Sequence, residues 1–298
     1  MSIVVKPSIL ADMVDESIRS GEADKRVKTG IEGLDNILMG GLPQKSITLV
    51  SGPAGTGKTT FGLQFLYKGA AVYDEPGVFV TFEDSPIEMI LASRQFGWDL
   101  LKQMREYKVL FLDLSIRHSL KTELGIEEIL KFLKIAVEEI GAERLVIDSS
   151  TVLIDLFLDK KRRERQFRDV VHTLSKFGCT TILTGRVEEG TSRVSYYGFE
   201  DFAVSGVIAL RYAIKMEEKT KASSEPLGRV VKTIQVRKMR RTKHDDRLYE
   251  YDLTERGLVI KEDEPLLPNT KLDEEGIAAA IIEARGFRER FMKKIQGE

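Results

Sequence analysis

The glycine-rich segment at residues 52–59 constrains the fold of this chain more strongly than any other feature of its sequence. It reads Gly-Pro-Ala-Gly-Thr-Gly-Lys-Thr and matches the pattern G-x-x-x-x-G-K-[ST] in full. An apolar run at 46–50 precedes it, and an apolar stretch at 59–71 follows it. The sequence therefore predicts a buried strand, a tight loop and a helix, in that order.

A loop of this composition is suited to binding phosphate groups. Its glycines allow backbone N–H groups to turn towards an anion, and the N-terminus of the following helix adds positive charge. In such loops the lysine reaches the β- and γ-phosphates and the final hydroxyl binds magnesium. We therefore expect ATP and Mg²⁺ as ligands, with Lys58 also acting in catalysis. The predicted nucleotide-binding residues are Gly52, Pro53, Ala54, Gly55, Thr56, Gly57, Lys58, Thr59 and Thr60.

An acidic residue after a later strand completes the predicted metal site. Residues 145–147 are apolar, and Asp148 follows them. Because ligands of open α/β sheets bind outside the carboxyl ends of the strands, Asp148 is predicted to face the magnesium ion through water. Thr59 and Asp148 are thus the predicted metal residues. An apolar triplet followed by Asp is common, so this interpretation depends on the glycine-rich loop.

Glu83 and Asp84 follow a predicted strand at 78–82 and are candidates for catalysis. A carboxylate at this edge of the sheet can orient the water that attacks a phosphate. Acids also favour helix N-termini, so the pair can instead cap a helix that begins at Ser85 and Pro86. The two interpretations are compatible, because Asp84 can cap the helix while Glu83 polarises water.

The basic segment at 236–244 is the other candidate functional feature. Lys238 and Arg240 are two residues apart on a predicted strand, so their side chains leave on the same face. Such a pair can clamp the γ-phosphate of a neighbouring subunit, as arginine fingers do. A solvated strand end and a nucleic-acid patch are the alternatives, and the residues alone leave all three open.

Strands and helices alternate through the middle of the chain. Further strands are predicted at 109–114, 144–147 and 180–184, and helices at 86–96, 126–140 and 161–177. Apolar strands separated by helices predict an α/β fold whose mostly parallel sheet has helices on both faces. Beyond residue 185, the predicted strands 204–214, 230–236, 247–253 and 258–260 lack intervening helices. They indicate antiparallel strands added at the C-terminal edge of the sheet.

We expect one domain at 27–260, with an N-terminal extension at 1–26 and a C-terminal linker and helix at 261–298. Short apolar patterns suggest helices at 7–19 and 273–295. The net charge of −1 gives no general reason to expect nucleic acid as a partner. Cys179 is the single cysteine, and no apolar run approaches the roughly 20 residues of a membrane span. A cytoplasmic protein without membrane insertion is therefore expected.

Several further segments make the chain resemble the KaiC-like branch of the RecA superfamily, in its single-domain, archaeal-type form. The resemblance covers roughly residues 28–260. Beside the glycine-rich loop, it depends on Gly-Gly-Leu-Pro at 40–43, Thr-Phe-Glu-Asp-Ser-Pro at 81–86, Phe-Gly-Trp-Asp-Leu at 96–100, Ile-Asp-Ser-Ser at 147–150 and Lys-Met-Arg-Arg-Thr-Lys-His at 238–244.

This resemblance implies a RecA-like P-loop NTPase core that assembles into a hexameric ring with ATP between subunits. It implies that Glu83 activates water, although Asp84 departs from the usual second Glu. It also implies that Lys238 and Arg240 reach the neighbour's γ-phosphate, with His244 close to the nucleotide. The family usually has Gly where this chain has Arg241.

Some KaiC-like proteins phosphorylate themselves, and the loop at 188–198 offers Thr191, Ser192 and Ser195 as acceptors. A polar loop that lines the ring's pore or contacts a partner is the alternative. A clock function is not carried over, because clock KaiC has two such domains and this chain has one glycine-rich loop.

Three functions are consistent with the sequence. The first is a slow regulatory ATPase whose nucleotide sets its oligomeric and signalling state. The second is a DNA-binding ATPase of the RadA-paralogue type, for which the loop at 186–200 supplies Arg186, Arg193, Tyr196 and Tyr197 but also three glutamates. The third is a nucleotide-binding scaffold with little turnover that docks on another complex.

Overall fold

The structure is a computed structural model that describes residues 25–115, 125–157, 159–216 and 228–266, together with residues 11, 14–16, 19 and 21. The helix predicted at 273–295 lies outside these residues, and so does most of the one predicted at 7–19. Within the described ranges, no helix combines the length and apolarity needed to cross a membrane.

The described residues form eleven strands. They are β1 (Arg26–Val27), β2 (Leu42–Pro43), β3 (Ile47–Gly52), β4 (Gly77–Thr81), β5 (Val109–Asp113), β6 (Arg144–Asp148), β7 (Thr180–Arg186), β8 (Gly206–Met216), β9 (Gly228–Met239), β10 (Leu248–Thr254) and β11 (Gly257–Leu266). β1 and β2 pair with each other, and the other nine make one sheet of order β11-β10-β9-β8-β3-β7-β6-β4-β5.

The same part of the chain contains eight α-helices. They are α1 (Leu34–Ile37), α2 (Lys58–Lys68), α3 (Pro86–Ser93), α4 (Leu100–Arg105), α5 (Ile126–Ile140), α6 (Ser150–Asp155), α7 (Arg163–Ser175) and α8 (Glu200–Ala203). The predicted helix at 59–71 ends as a π-helical turn, Gly69–Tyr73, and the one at 86–96 ends as a 3₁₀ turn, Arg94–Phe96.

The sheet has a parallel part and an antiparallel part. β5, β4, β6, β7, β3 and β8 run parallel. β9, β10 and β11 then follow as antiparallel neighbours, so the predicted antiparallel addition begins at β9, because β8 still pairs in parallel with β3. β11 continues past residue 260 to Leu266, which brings residues 261–266 into the sheet.

Two apolar layers cover the two faces of the sheet. Phe61 and Phe65 of α2 belong to one buried cluster, and Phe167 of α7 belongs to the other. β6 contributes to both, since Val146 packs in the first cluster and Leu145 in the second. This two-sided burial explains why the parallel strands read as continuous apolar runs rather than as alternating patterns.

The carboxyl ends of the central strands meet at one edge. Thr81 at the end of β4 pairs with Asp148 at the end of β6, and Gly52 at the end of β3 pairs with Arg186 at the end of β7. Segments that are far apart in sequence therefore converge where parallel sheets bind ligands.

Candidate nucleotide-binding site

The backbone of the glycine-rich loop requires glycine at two positions. Gly57 precedes α2 with φ of 87°, a left-handed conformation that L-residues rarely adopt. At Gly52, a Cβ atom would lie 2.5 Å from the Leu210 carbonyl oxygen, which is too close for any side chain. The sequence pattern is thus required by the local geometry as well as by phosphate binding.

Two tyrosines, one on β8 and one on β10, hold the loop's main chain. The Tyr251 hydroxyl donates to the Thr56 carbonyl, and the Tyr212 hydroxyl donates to the Ala54 carbonyl at 3.3 Å. Within the loop, the Thr56 hydroxyl donates to the Pro53 carbonyl at 2.8 Å. These bonds fix the carbonyl groups, so the loop's shape is set before any ligand binds.

The Lys58 ammonium folds back over the loop and donates to the Pro53 carbonyl at 2.8 Å. Burial lowers the pKa of Lys58, and the positive charge of Arg186 lowers it further, whereas Asp148 and Glu83 raise it. A phosphate would give this ammonium an anionic acceptor, which makes a stronger hydrogen bond than a carbonyl does.

The two predicted metal residues are in direct contact. The Thr59 hydroxyl donates to Asp148 Oδ2 at 2.7 Å, and the Thr184 hydroxyl donates to Asp148 Oδ1. Burial raises the pKa of the Asp148 carboxyl, while both hydroxyl bonds oppose that shift. A hydroxyl and a carboxylate are the hard oxygen ligands that Mg²⁺ prefers, so the residues fit this ion.

Glu83 and Asp84 lie beside this pair but have different contacts. The Phe82 amide donates to the Asp148 carbonyl at 3.0 Å, which fixes the chain just before Glu83. The interpretation of Asp84 as the helix cap is wrong, because the Ser85 hydroxyl accepts from the Ile87 amide and caps α3. Glu83 instead forms an ion pair with Arg186, with its Oε1 3.5 Å from the guanidinium.

Lys238 and Arg240 lie towards the opposite edge of the sheet from the glycine-rich loop of the same chain. Met239 pairs with Gly206 at the start of β8, and Gly206 pairs with Thr48 near the start of β3. The loop begins at the other end of β3, about 13 Å along the strand and two strand spacings of about 4.8 Å across. One subunit therefore does not place these cations on its own phosphates.

Both basic side chains are held by α8 and the residue after it. Lys238 Nζ donates to the Asp201 carbonyl at 2.6 Å and to the Val204 carbonyl at 2.8 Å, and Arg240 donates to the Phe202 carbonyl at 3.3 Å. Burial lowers the pKa of Lys238, and the neighbouring Arg240 lowers it further. His244 lies beyond the end of β9, where its Nδ1 is 3.2 Å from the Thr242 carbonyl oxygen.

The loop after β7 is partly tied to its own chain. Arg186, at the end of β7, contacts Glu83, and the Tyr197 hydroxyl donates to Asp155, so two of the four candidate DNA-contacting side chains have polar partners. Arg193 and Tyr196 are exposed. Among the phosphorylation candidates, Ser195 is buried and donates to Asp201 at 2.8 Å, whereas Ser192 is exposed.

A cavity of about 510 Å³ lies next to the loop but is not the phosphate site. Gly52 and Pro53 line it, together with residues 187–193 and parts of β8 and β9, whereas Lys58, Thr59 and Asp148 do not. The three groups with phosphate or metal chemistry lie instead at the open edge of the sheet.

Sequence reasoning missed Thr184 and Tyr251, and it assigned Arg186 only to possible DNA contact rather than to this site. Thr184 and Arg186 lie at the carboxyl end of β7, so the rule that placed Asp148 also applies to them. No local pattern marks Tyr251 as a contact of the loop, because the loop and the tyrosine are 195 residues apart in sequence.

The chain combines a mostly parallel α/β sheet with this glycine-rich loop and with a hydrogen bond between Thr59 and Asp148. These features define it as a P-loop nucleoside triphosphatase. A family model described as "ATPase: KaiC" matches residues 27–265. The chain belongs to this KaiC ATPase family.

Individual relatives agree with this assignment. The circadian clock oscillator protein KaiC of Synechococcus elongatus is 35% identical over 242 residues, covering 80% of this chain and 44% of that protein. The chain thus spans less than half the length of the KaiC relative. The UPF0273 protein MJ1359 of Methanocaldococcus jannaschii is 35% identical over 253 residues, covering 81% of this chain and 98% of that protein.

A solved structure gives the same result for the fold. The crystal structure of the KaiC-like protein PH0186 from Pyrococcus horikoshii OT3 matches with a TM-score of 0.66 and 33% sequence identity. The match covers 79% of this chain and 98% of the other. The predicted single-domain KaiC-like fold is therefore confirmed.

Proposed function

We propose that this chain is a slow, Mg²⁺-dependent regulatory ATPase whose nucleotide sites are completed by a second copy of itself. The arrangement of the candidate residues carries the proposal. Lys58, Thr59 and Asp148 meet at one edge of the sheet, whereas Lys238 and Arg240 lie towards the other. If a second copy placed its Lys238 and Arg240 against the glycine-rich loop of the first, both sets of residues would contact one nucleotide. A hexameric ring is the assembly expected from the family resemblance.

Each residue then has a defined role. Lys58 would contact the β- and γ-phosphates, and Thr59 and Asp148 would hold Mg²⁺, which would neutralise phosphate charge. Glu83 accepts a hydrogen bond from water and orients it towards the γ-phosphorus. A bond from the water oxygen to phosphorus forms while the bond to the β,γ-bridging oxygen breaks, and ADP leaves with that electron pair. One water proton stays on the phosphate and the other passes to solvent.

Slow turnover follows from the setting of Glu83. Its side chain is half-exposed, so bulk water competes for the carboxylate that must orient a single water molecule. Autophosphorylation at Thr191 or Ser192 and a cytoplasmic location stay predictions. A nucleotide-dependent change of assembly would serve the regulatory role.

A complementation experiment tests the shared site. Lys58→Ala removes the phosphate-binding lysine and Arg240→Ala removes the residue given to the neighbour, so each protein alone should lack ATPase activity. In a 1:1 mixture of randomly assembled subunits, half of the sites have an intact Lys58, and half of those have a neighbour with an intact Arg240. About a quarter of the sites are therefore complete. We expect activity of that order to return, with a mass increase in Mg-ATP measured by light scattering.

Arg237→Ala is the matched control, because this exposed arginine of β9 donates only to Gln235 among the hydrogen bonds described for it. It should keep full activity and assembly. A mixture that stays inactive, or a monomer under all conditions, would contradict the shared site. Tight, salt-dependent DNA binding would instead favour the recombinase-type alternative.

A further inference from the structure

Arg186, the last residue of β7, has a main chain fixed at the phosphate-binding edge of the sheet. It pairs in register with Gly52, the first residue of the glycine-rich loop. Its amide donates to the Thr151 hydroxyl at 3.0 Å, which ties it to α6, the helix after Asp148. Its side chain therefore leaves from a rigid point between the loop and the metal-binding strand.

The guanidinium of Arg186 reaches the carboxylate proposed to orient water. It lies 3.5 Å from Glu83 Oε1, and the two side chains are 63% and 49% exposed. An ion pair this open to water adds little to stability, typically about 0–1 kcal/mol. Stability alone therefore does not account for its place in the site.

We propose that Arg186 is the positioning residue for Glu83, a conclusion that rests on the proposed ATPase function. The guanidinium holds one carboxylate oxygen and restricts the rotamers of a side chain that is otherwise free in solvent. The second oxygen then points consistently at the attacking water. The role differs from that of Lys238 and Arg240, because Arg186 belongs to the same subunit as the loop and acts through Glu83.

The geometry of the guanidinium group makes arginine the suitable residue here. A planar guanidinium presents several donors in a fixed arrangement and orients a carboxylate, whereas a lysine ammonium is a point charge on a flexible stem. A lysine at 186 should keep the attraction but lose much of the orientation. Arg186→Lys is therefore predicted to lie between Arg186→Ala and the unchanged protein.

The test separates an effect on turnover from an effect on binding. Arg186→Ala should lower kcat about 10- to 100-fold, as expected when a catalytic group is misplaced by about 1 Å. Its affinity for Mg-ATP, measured by titration with a fluorescent ATP analogue, should change less than about threefold, because the phosphates keep Lys58 and the loop. Arg168→Ala is the control, since Arg168 makes a comparable exposed ion pair on α7 with Glu164.

A double variant decides whether Arg186 acts through Glu83. If it does, Arg186→Ala combined with Glu83→Gln should be no slower than Glu83→Gln alone. Multiplicative losses, an unchanged kcat in Arg186→Ala, or a loss confined to ATP affinity would each overturn the inference. Absence of turnover in the unchanged protein would overturn the proposed function and this inference with it. The results named before it overturn the inference alone, because they require an active unchanged protein.

Discussion

The Thr59 hydroxyl donates a 2.7 Å hydrogen bond to the Asp148 carboxylate, which lies 89 residues further along the chain. This contact joins the glycine-rich loop to the end of β6 and brings the two residues of the proposed Mg²⁺ site together. Burial raises the pKa of Asp148, so its negative charge costs the ligand-free fold free energy. A bound cation would offset that cost. The site therefore favours ion binding but lowers the stability of the ligand-free protein.

Asp148→Asn should separate stability from ligand binding. Because the folded pKa is raised, the charged carboxylate costs stability above its unfolded pKa, and Asn removes that cost while its amide still bonds both threonines. We expect the free energy of unfolding without ligand to stay equal or to rise by up to about 1 kcal/mol. The increase in Tm caused by Mg-ATP should disappear.

Thermal and urea unfolding with and without Mg-ATP measure both effects. Asp74→Asn is the control, because this exposed carboxylate pairs with Lys108 away from the site. A large loss of stability in Asp148→Asn, or an unchanged Tm shift with Mg-ATP, would contradict the assignment.

Glu83 and Asp84 should differ in their effect on turnover although they are adjacent. The Glu83 side chain pairs with Arg186. At Asp84 it is the main-chain carbonyl that accepts a 2.7 Å hydrogen bond from the Thr81 hydroxyl, and Asp84→Asn leaves this bond in place. Glu83→Gln should lower kcat about 100-fold or more, the usual effect of losing a group that acts on a water proton. Asp84→Asn should cost less than about tenfold. Steady-state phosphate release measures both, and equal losses would mean that the two acids share the role.

The sequence predicted the parallel half of this fold better than the antiparallel half, for a physical reason. Apolar strands that alternate with helices commonly form a parallel sheet covered on both faces. The glycine-rich loop identifies the strand before it as the one that leads to the phosphate site. The helix predicted at 126–140 has those bounds in the structure. The antiparallel strands were found, but no local pattern shows that β8 pairs in parallel with β3. Contacts such as that of Tyr251 with Thr56 depend on strand order, which composition does not determine.

Ser195→Ala should reduce stability rather than abolish a phosphorylation site. Ser195 is 2% exposed and donates to Asp201, whose carbonyl also holds Lys238. Loss of this bond leaves a partly buried carboxylate oxygen without its partner and should cost about 1 kcal/mol. Mass spectrometry after incubation with Mg-ATP should find no phosphate on Ser195, while any phosphate in this loop should map to Thr191 or Ser192. Phosphate on Ser195 would require the loop to open and would contradict the structure.

Glu250 should make the stability of the fold sensitive to acid. It lies on β10, the strand whose Tyr251 holds the glycine-rich loop. Its carboxylate is 2% exposed and accepts from Lys261 at 2.7 Å, Lys215 at 3.0 Å and Arg229 at 3.1 Å. Burial alone would raise the pKa of Glu250, but the bonds from Lys261 and Lys215 outweigh it and lower the pKa. A lowered folded pKa means that the stabilisation is full above the unfolded value of about 4.3 and is lost as pH falls through the folded value.

Glu250→Gln should therefore reduce the free energy of unfolding by roughly 1–3 kcal/mol at pH 7, and this difference should shrink as pH falls from 5 to 3. Urea unfolding across that range measures the slope, and Asp252→Asn, which removes the more exposed partner of Lys261, should cost less than about 1 kcal/mol. A loss that is equal at pH 7 and pH 3 would assign the effect to packing rather than to charge. Because Glu250 precedes Tyr251, which holds the Thr56 carbonyl, the same variant should also weaken Mg-ATP binding.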